Sequence, residues 1–228
     1  MLNGESFVNE FLDYLNKYFA QSALSPEEST ISSEIHLRFE LGDPHENGSK
    51  ERVDQSVFRA TSLFKEFFKE EDEAWLLIKS FKYPRGAKEF YSPTPGYFKN
   101  QISDMSSLDI SCREITIEEF DEALNEKGEL ELTDFTTTHV QEVFHQKVSK
   151  IAFENIFRGI ANLEMGFAPS ISEIVYIVNR VNNVAFHMYD DRGCIVYSDN
   201  ISTLKTIYKK YIDWLVDCHR ETFDGIFK

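Results

Sequence analysis

The sequence predicts an α+β fold: an antiparallel sheet with a C-terminal three-stranded meander, flanked by amphipathic helices. Three observations carry that expectation. Apolar residues recur at helical spacing near both ends of the chain; one segment around Leu37 alternates strictly; and three β-type segments follow one another between residues 173 and 198 with turn residues between them.

In chain order, Phe7, Phe11, Tyr14, Leu15, Tyr18 and Phe19 form a helical stripe, with Asn3 or Ser6 to cap it and Pro26 beyond its end. Ile35, Leu37, Phe39 and Leu41 then alternate with His36, Arg38 and Glu40, the period of a half-buried strand, which Gly42-Asp43-Pro44 ends. Val53, Val57, Ala60, Phe64, Phe67 and Phe68 return to helical spacing, closed by the acidic run from Glu70 to Glu73. Trp75 to Ile78 is a short apolar run suited to a buried strand. Pro84, Pro93, Pro95, Gly86 and Gly96 make Tyr83 to Tyr97 a loop or linker.

Cys112 to Ile117 and Glu129 to Thr138 are further strand expectations. Phe144, Val148, Ile151, Ala152, Ile156 and Ala161 predict a helix ending near Gly166 and Pro169. The meander comprises Glu173 to Asn179, Val184 to Tyr189 and Cys194 to Ser198, joined by Val181-Asn182-Asn183 and Asp191-Arg192-Gly193, residues suited to tight turns. A final helix carries Leu204, Ile207, Tyr208, Tyr211, Leu215 and Cys218 on one face, capped by Asn200 or Ser202. The organisation expected is one domain over residues 1–228, divisible at most into lobes 1–100 and 140–228.

Composition narrows the function classes. With 42% hydrophobic and 14% aromatic residues the chain should fold throughout. It has no apolar run near the roughly 20 residues needed to span a bilayer and no basic-then-apolar start, so a cytoplasmic, soluble protein is expected. Cys112, Cys194 and Cys218 form no CxxC pair, which fits reduced thiols and implies neither a disulfide framework nor a zinc site.

The net charge of -15 disfavours nucleic acid and anionic lipid as partners and favours a basic protein. Ser103 to Asp134 holds eleven acidic residues against Arg113 and Lys127, so nine of the fifteen net charges fall there. Glu118, Glu119, Asp121 and Glu122 are therefore candidate binding residues; a solvated face that keeps the chain in solution is the alternative.

The compact polar block is Tyr189-Asp190-Asp191-Arg192-Gly193, at the end of a strand. Its carboxylates could bind a hard cation, or one could act as a general base while Arg192 holds an anion, with His187 on the same strand face as Tyr189. Equally, Asp190 or Asp191 could cap the turn, Arg192 could pair with a carboxylate, and Gly193 could supply a positive φ. Successive strand residues point to opposite faces, so the two carboxylates need not converge. Asp43, His45 and Glu46 read as a surface loop, and His139 and His145 lack the spacing of a zinc protease. Trp75 and Trp214 read as core residues. No nucleophile elbow, phosphate-binding loop, dinucleotide fingerprint or kinase signature is present, and no metal or cofactor is implied.

Val175-Tyr176-Ile177-Val178-Asn179, then Phe186-His187-Met188-Tyr189-Asp190-Asp191-Arg192-Gly193, then the segment from Leu204 to Trp214, resemble the bacterial family called domain of unknown function 3885. The resemblance covers the last quarter of the chain, with Phe81 to Tyr97 as an upstream part, and implies a bacterial origin but no activity. A looser architectural likeness is to SUKH-type immunity proteins, small α/β domains that end in antiparallel strands and a closing helix. That likeness implies a non-enzymatic inhibitor of a basic toxin, a role an acidic surface suits. The alternative is a metal-dependent hydrolase or phosphodiesterase-like enzyme built on Asp190, Asp191 and His187.

Overall fold

The computed structural model describes residues 4–21, 31–82, 93–124 and 130–228. Helix α1 (Gly4–Tyr18) leads to two short paired strands, β1 (Ala20–Gln21) and β2 (Ile31–Ser32). Strand β3 (His36–Glu40), helix α2 (Lys50–Phe67) and strand β4 (Glu73–Lys82) follow. Then come β5 (Ser111–Leu124), β6 (Leu130–Lys147), helix α3 (Phe153–Met165), strands β7 (Ile174–Asn179), β8 (Val184–Met188) and β9 (Gly193–Ser198), and helices α4 (Ile201–Lys210) and α5 (Arg220–Phe227). No described helix is long and apolar enough to cross a membrane.

Seven strands form one sheet in the order β3-β9-β8-β7-β4-β6-β5, every neighbouring pair antiparallel. Strands from before residue 100 and from after residue 140 thus share one sheet. The α+β class and the C-terminal meander are as the sequence indicates. Asn183 takes φ 51 in the first meander turn, the left-handed conformation that asparagine tolerates.

Alternation sorts the two faces. Leu37, Phe39, Leu76, Ile78, Phe144, Val175, Ile177, Phe186 and Val196 join the main core with α2, α3, α4 and α5. Phe64 is its hub: its ring stacks on Phe68 at 4.2 Å and meets Phe153, Phe157 and Phe186 within 5.6 Å. Each such buried ring contributes about 1.5–3 kcal/mol before conformational entropy. On the other face Trp75, Leu77, Val143, Tyr176, Val178 and Ala185 pack with Phe11, Tyr14 and Leu15 of α1. Phe11 stacks on Trp75 at 5.3 Å, and the Tyr14 hydroxyl donates to Asn183 Oδ1 at 2.9 Å.

The ends of the helices follow local chemistry. Ser49 caps α2, its hydroxyl accepting from Arg52 N, and Asn200 caps α4, accepting from Ser202 N at 2.8 Å. Gly166, at φ 69, ends α3 and donates to the carbonyls of Asn162 and Leu163.

Several sequence expectations need correction. The helix expected from Phe144 begins only at Phe153; Phe144 lies in β6, and Val148 to Lys150 form a 3-10 turn. The final helix stops at Lys210. Leu215 instead bridges to Phe39, and Cys218 lies in a 3-10 turn before α5. The strand expected at Trp75 to Ile78 runs from Glu73 to Lys82, and the two expected around the acidic stretch are much longer. Ser6 lies inside α1 rather than at its cap. Asn3, Pro26 and the expected loop over residues 83–92 fall outside the described residues.

Candidate functional site

The turn between β8 and β9 holds the Tyr-Asp-Asp-Arg-Gly block, and its two carboxylates part company. Asp190 turns back on its own loop: Oδ1 accepts from Arg192 N at 2.7 Å and Oδ2 from Arg192 Nε at 2.7 Å and from Nη2. That is a capped turn closed by an ion pair. Asp190 is 7% exposed at its side chain against 64% for Arg192, whose guanidinium Asp190 holds firmly protonated.

Asp191 points inward to Arg52 of α2, whose Nε donates to its carboxylate; the Asp191 side chain is 1% exposed. The Asp191 carbonyl accepts from Ser56 Oγ at 2.7 Å, and Arg52 Nη1 donates to the His45 carbonyl at 2.7 Å. A Cβ on Gly42 would lie 2.8 Å from the Arg52 guanidinium, so the strand exit needs glycine there. Among the described residues no three His, Cys, Asp or Glu side chains gather at metal-binding spacing. The turn therefore ties the meander to α2, and neither carboxylate is offered to a reactant.

Gly193 is required for a reason other than backbone conformation, since its φ is not positive. A Cβ there would sit 2.0 Å from the Tyr189 hydroxyl oxygen and 2.7 Å from the Phe39 carbonyl oxygen. Tyr189 lies folded across it, accepting at its hydroxyl from Arg38 Nε at 3.0 Å, while the Arg38 guanidinium stands 5.1 Å from the ring centre.

Beside that turn, on the sheet face that α1 covers in part, a cleft of about 720 Å³ opens. Register sets its floor: Arg38 of β3 is opposite Ile195 of β9, which is opposite His187 of β8. Tyr176 of β7 stacks on the His187 ring at 4.2 Å, and Tyr197 lines the same space. His187 Nδ1 lies 3.0 Å from the Val175 carbonyl, so Nδ1 carries the proton and Nε2 keeps a lone pair. Burial pushes the imidazole down to about 4, so it is neutral at physiological pH. Burial likewise pushes the Tyr176 phenol up to about 12 and raises that of Tyr197.

The four acidic candidates lie on β5. In register Glu118 is opposite Thr136, Glu119 opposite Phe135, Asp121 opposite Thr133 and Glu122 opposite Leu132; their side chains are outside the described residues. β5 is the last strand of the sheet, with β6 as its neighbour. The opposite edge, β3, is covered: Val216 N donates to the Arg38 carbonyl at 3.1 Å beside the Phe39–Leu215 bridge.

Sequence reasoning missed Arg52, Ser56, Arg38, Tyr176 and Tyr197. Arg52 and Ser56 interrupt the apolar stripe of α2 next to Val53 and Val57, and a charge within an apolar stripe signals a buried partner. The cleft had a fainter sign in phenol-bearing and basic residues at alternate strand positions. Asp43 and His45 are exposed in the loop after β3, as expected. His145 stacks on the buried Trp75 and lies 3.1 Å from Glu73 Oε2.

The chain is 22% identical over 171 residues to the uncharacterized protein YnaE of Bacillus subtilis (strain 168), covering 70% of this chain and 73% of that protein. No solved structure matches it. The model of the family described as domain of unknown function (DUF3885) matches residues 11–219, nearly the whole chain and well beyond the C-terminal segments that carry the resemblance, so the chain belongs to that family.

Proposed function

We propose that this chain is a non-enzymatic protein-binding module, of the immunity or antitoxin kind, that offers the β5–β6 hairpin to a basic protein such as a cationic toxin. The observation that supports this is the pairing of charge with a terminal strand of the sheet. The acidic segment lies on the terminal strand of the sheet, which has β6 as its one described neighbour, while the other edge is covered by the chain's own C-terminal segment. An edge strand can accept an added strand through main-chain hydrogen bonds, and carboxylates along it speed and orient approach of a cation. The same carboxylates keep two copies of the edge from pairing, so selectivity for basic partners comes with the arrangement.

The hydrolase alternative loses support from the turn, where Asp190 and Asp191 are bound to Arg192 and Arg52. The test is affinity purification at low and physiological salt with the wild type and with the variant Glu118→Gln, Glu119→Gln, Asp121→Asn, Glu122→Gln. The expected result is a basic protein that is held by the wild type, weakened by salt and lost in the variant. Recovery of no basic partner, or undiminished binding by a variant that melts like the wild type, would refute it.

A further inference from the structure

We propose that the cleft floored by Arg38, His187, Tyr176 and Tyr197 binds a small aromatic monocarboxylate. Three of these side chains are almost wholly enclosed: Tyr176 is 3%, His187 8% and Tyr197 8% exposed, yet all line the cleft. Among the described residues neither phenol hydroxyl has a hydrogen-bond partner, and His187 makes its bond through Nδ1 alone. The rings are enclosed while the phenol oxygens and His187 Nε2 keep some exposure of their own, and the side open to them is the cleft. Two O–H donors and one imidazole acceptor thus await a ligand.

The charge in the cleft selects the ligand class. Arg192 and Arg52 also reach it, but each is neutralised by its aspartate. Arg38 has the Tyr189 hydroxyl and no carboxylate bonded to it among the described residues, so one guanidinium is left for a carboxylate, which it can meet with two parallel N–H groups. Glu40 and Asp43 also line the cleft and would repel a phosphate dianion more than a monoanion. The walls are flat. The stacked Tyr176 and His187 rings, with Tyr189 and Ile195, suit a planar ring, and the His187 lone pair suits a ligand that carries a hydroxyl or N–H group. This site is separate from the β5 edge, and either can fail without the other.

The experiment titrates the intact protein with 4-hydroxybenzoate, free tyrosine and adenosine monophosphate, following the His187 ring resonances by NMR and the heat of binding by calorimetry. Saturable binding of 4-hydroxybenzoate or tyrosine is expected, with a shift at His187 and at least a tenfold loss of affinity in Arg38→Met. The stronger of the two carboxylates tells whether the ligand carries an ammonium group for Glu40 and Asp43. If Arg38→Met does not fold, Tyr197→Phe takes its place, with an expected loss of at least threefold. Absence of saturable binding by either carboxylate, preference for the nucleotide, or affinity unchanged in the folded variants would overturn the proposal.

Discussion

Arg52 and Asp191 stand 139 residues apart in the chain and meet in the interior, where the guanidinium Nε of one donates to the carboxylate of the other. Their side chains are 11% and 1% exposed. Removing one partner leaves a buried charge uncompensated, so Asp191→Leu is expected to cost about 3–5 kcal/mol and Arg52→Met a similar amount. The double variant Arg52→Met, Asp191→Leu should cost less than the sum, because no orphaned charge remains. Urea denaturation of the four proteins checks this; additive losses would show that the pair is not coupled.

Gly193→Ala is expected to destabilise the fold by about 1–3 kcal/mol, the usual range for forcing atoms into a filled space. The new Cβ would meet the Tyr189 hydroxyl oxygen at 2.0 Å and the Phe39 carbonyl oxygen at 2.7 Å. Truncating Tyr189 to alanine removes the first clash and leaves the second. The cost of Gly193→Ala should therefore shrink, without vanishing, in a Tyr189→Ala background, and thermal melts of the single and double variants measure the difference.

How much of this was legible in the sequence depended on whether partners were local. The meander was readable because Ile177, Phe186 and Val196 recur with period two between turn residues. Phe144 misled because Val143 and Phe144 are both buried, on opposite faces of a strand covered on both sides, so alternation fails. Val148, in the following 3-10 turn, and Ile151, the extended residue just after it, then complete a spacing that imitates a helix. Leu215 misled similarly: it is buried through its bridge to Phe39, not through a helix face. In the site, the Asp190–Arg192 turn was foreseeable because it closes within three residues. The Asp191–Arg52 pair was not, because no local pattern reports a partner on another element.

His187 gives the fold a pH dependence with a definite sign. Its imidazole is lowered from 6.5 to about 4, chiefly by burial, with the Val175 carbonyl and the Asp190 carboxylate opposing. The unfolded chain therefore binds the proton more readily than the folded one. The stability linked to this group is complete above about pH 6.5 and is lost as pH falls toward 4, by about 3 kcal/mol at 1.36 kcal/mol per pKa unit. Urea midpoints between pH 7.5 and 4.5 should fall for the wild type and fall distinctly less for His187→Gln. Equal slopes would show that the drop belongs to other groups.

The three cysteines provide a footprint of the proposed docking edge. Cys112 and Cys218 are exposed and Cys194 is buried, so iodoacetamide should modify the first two in the native protein and the third only on unfolding. Cys112 lies on β5 opposite Glu142, and desolvation followed by the carboxylates of Glu142 and Glu114 raises its thiol above the ordinary range. Less thiolate means slower alkylation at neutral pH, and the rate should climb steeply with alkalinity. A partner that adds a strand to β5 would cover Cys112 and leave Cys218, beyond the far edge of the sheet, as reactive as before. Selective protection of Cys112, read by mass spectrometry of the alkylated peptides, is the expected outcome; equal protection of both, or of neither, would place the partner elsewhere.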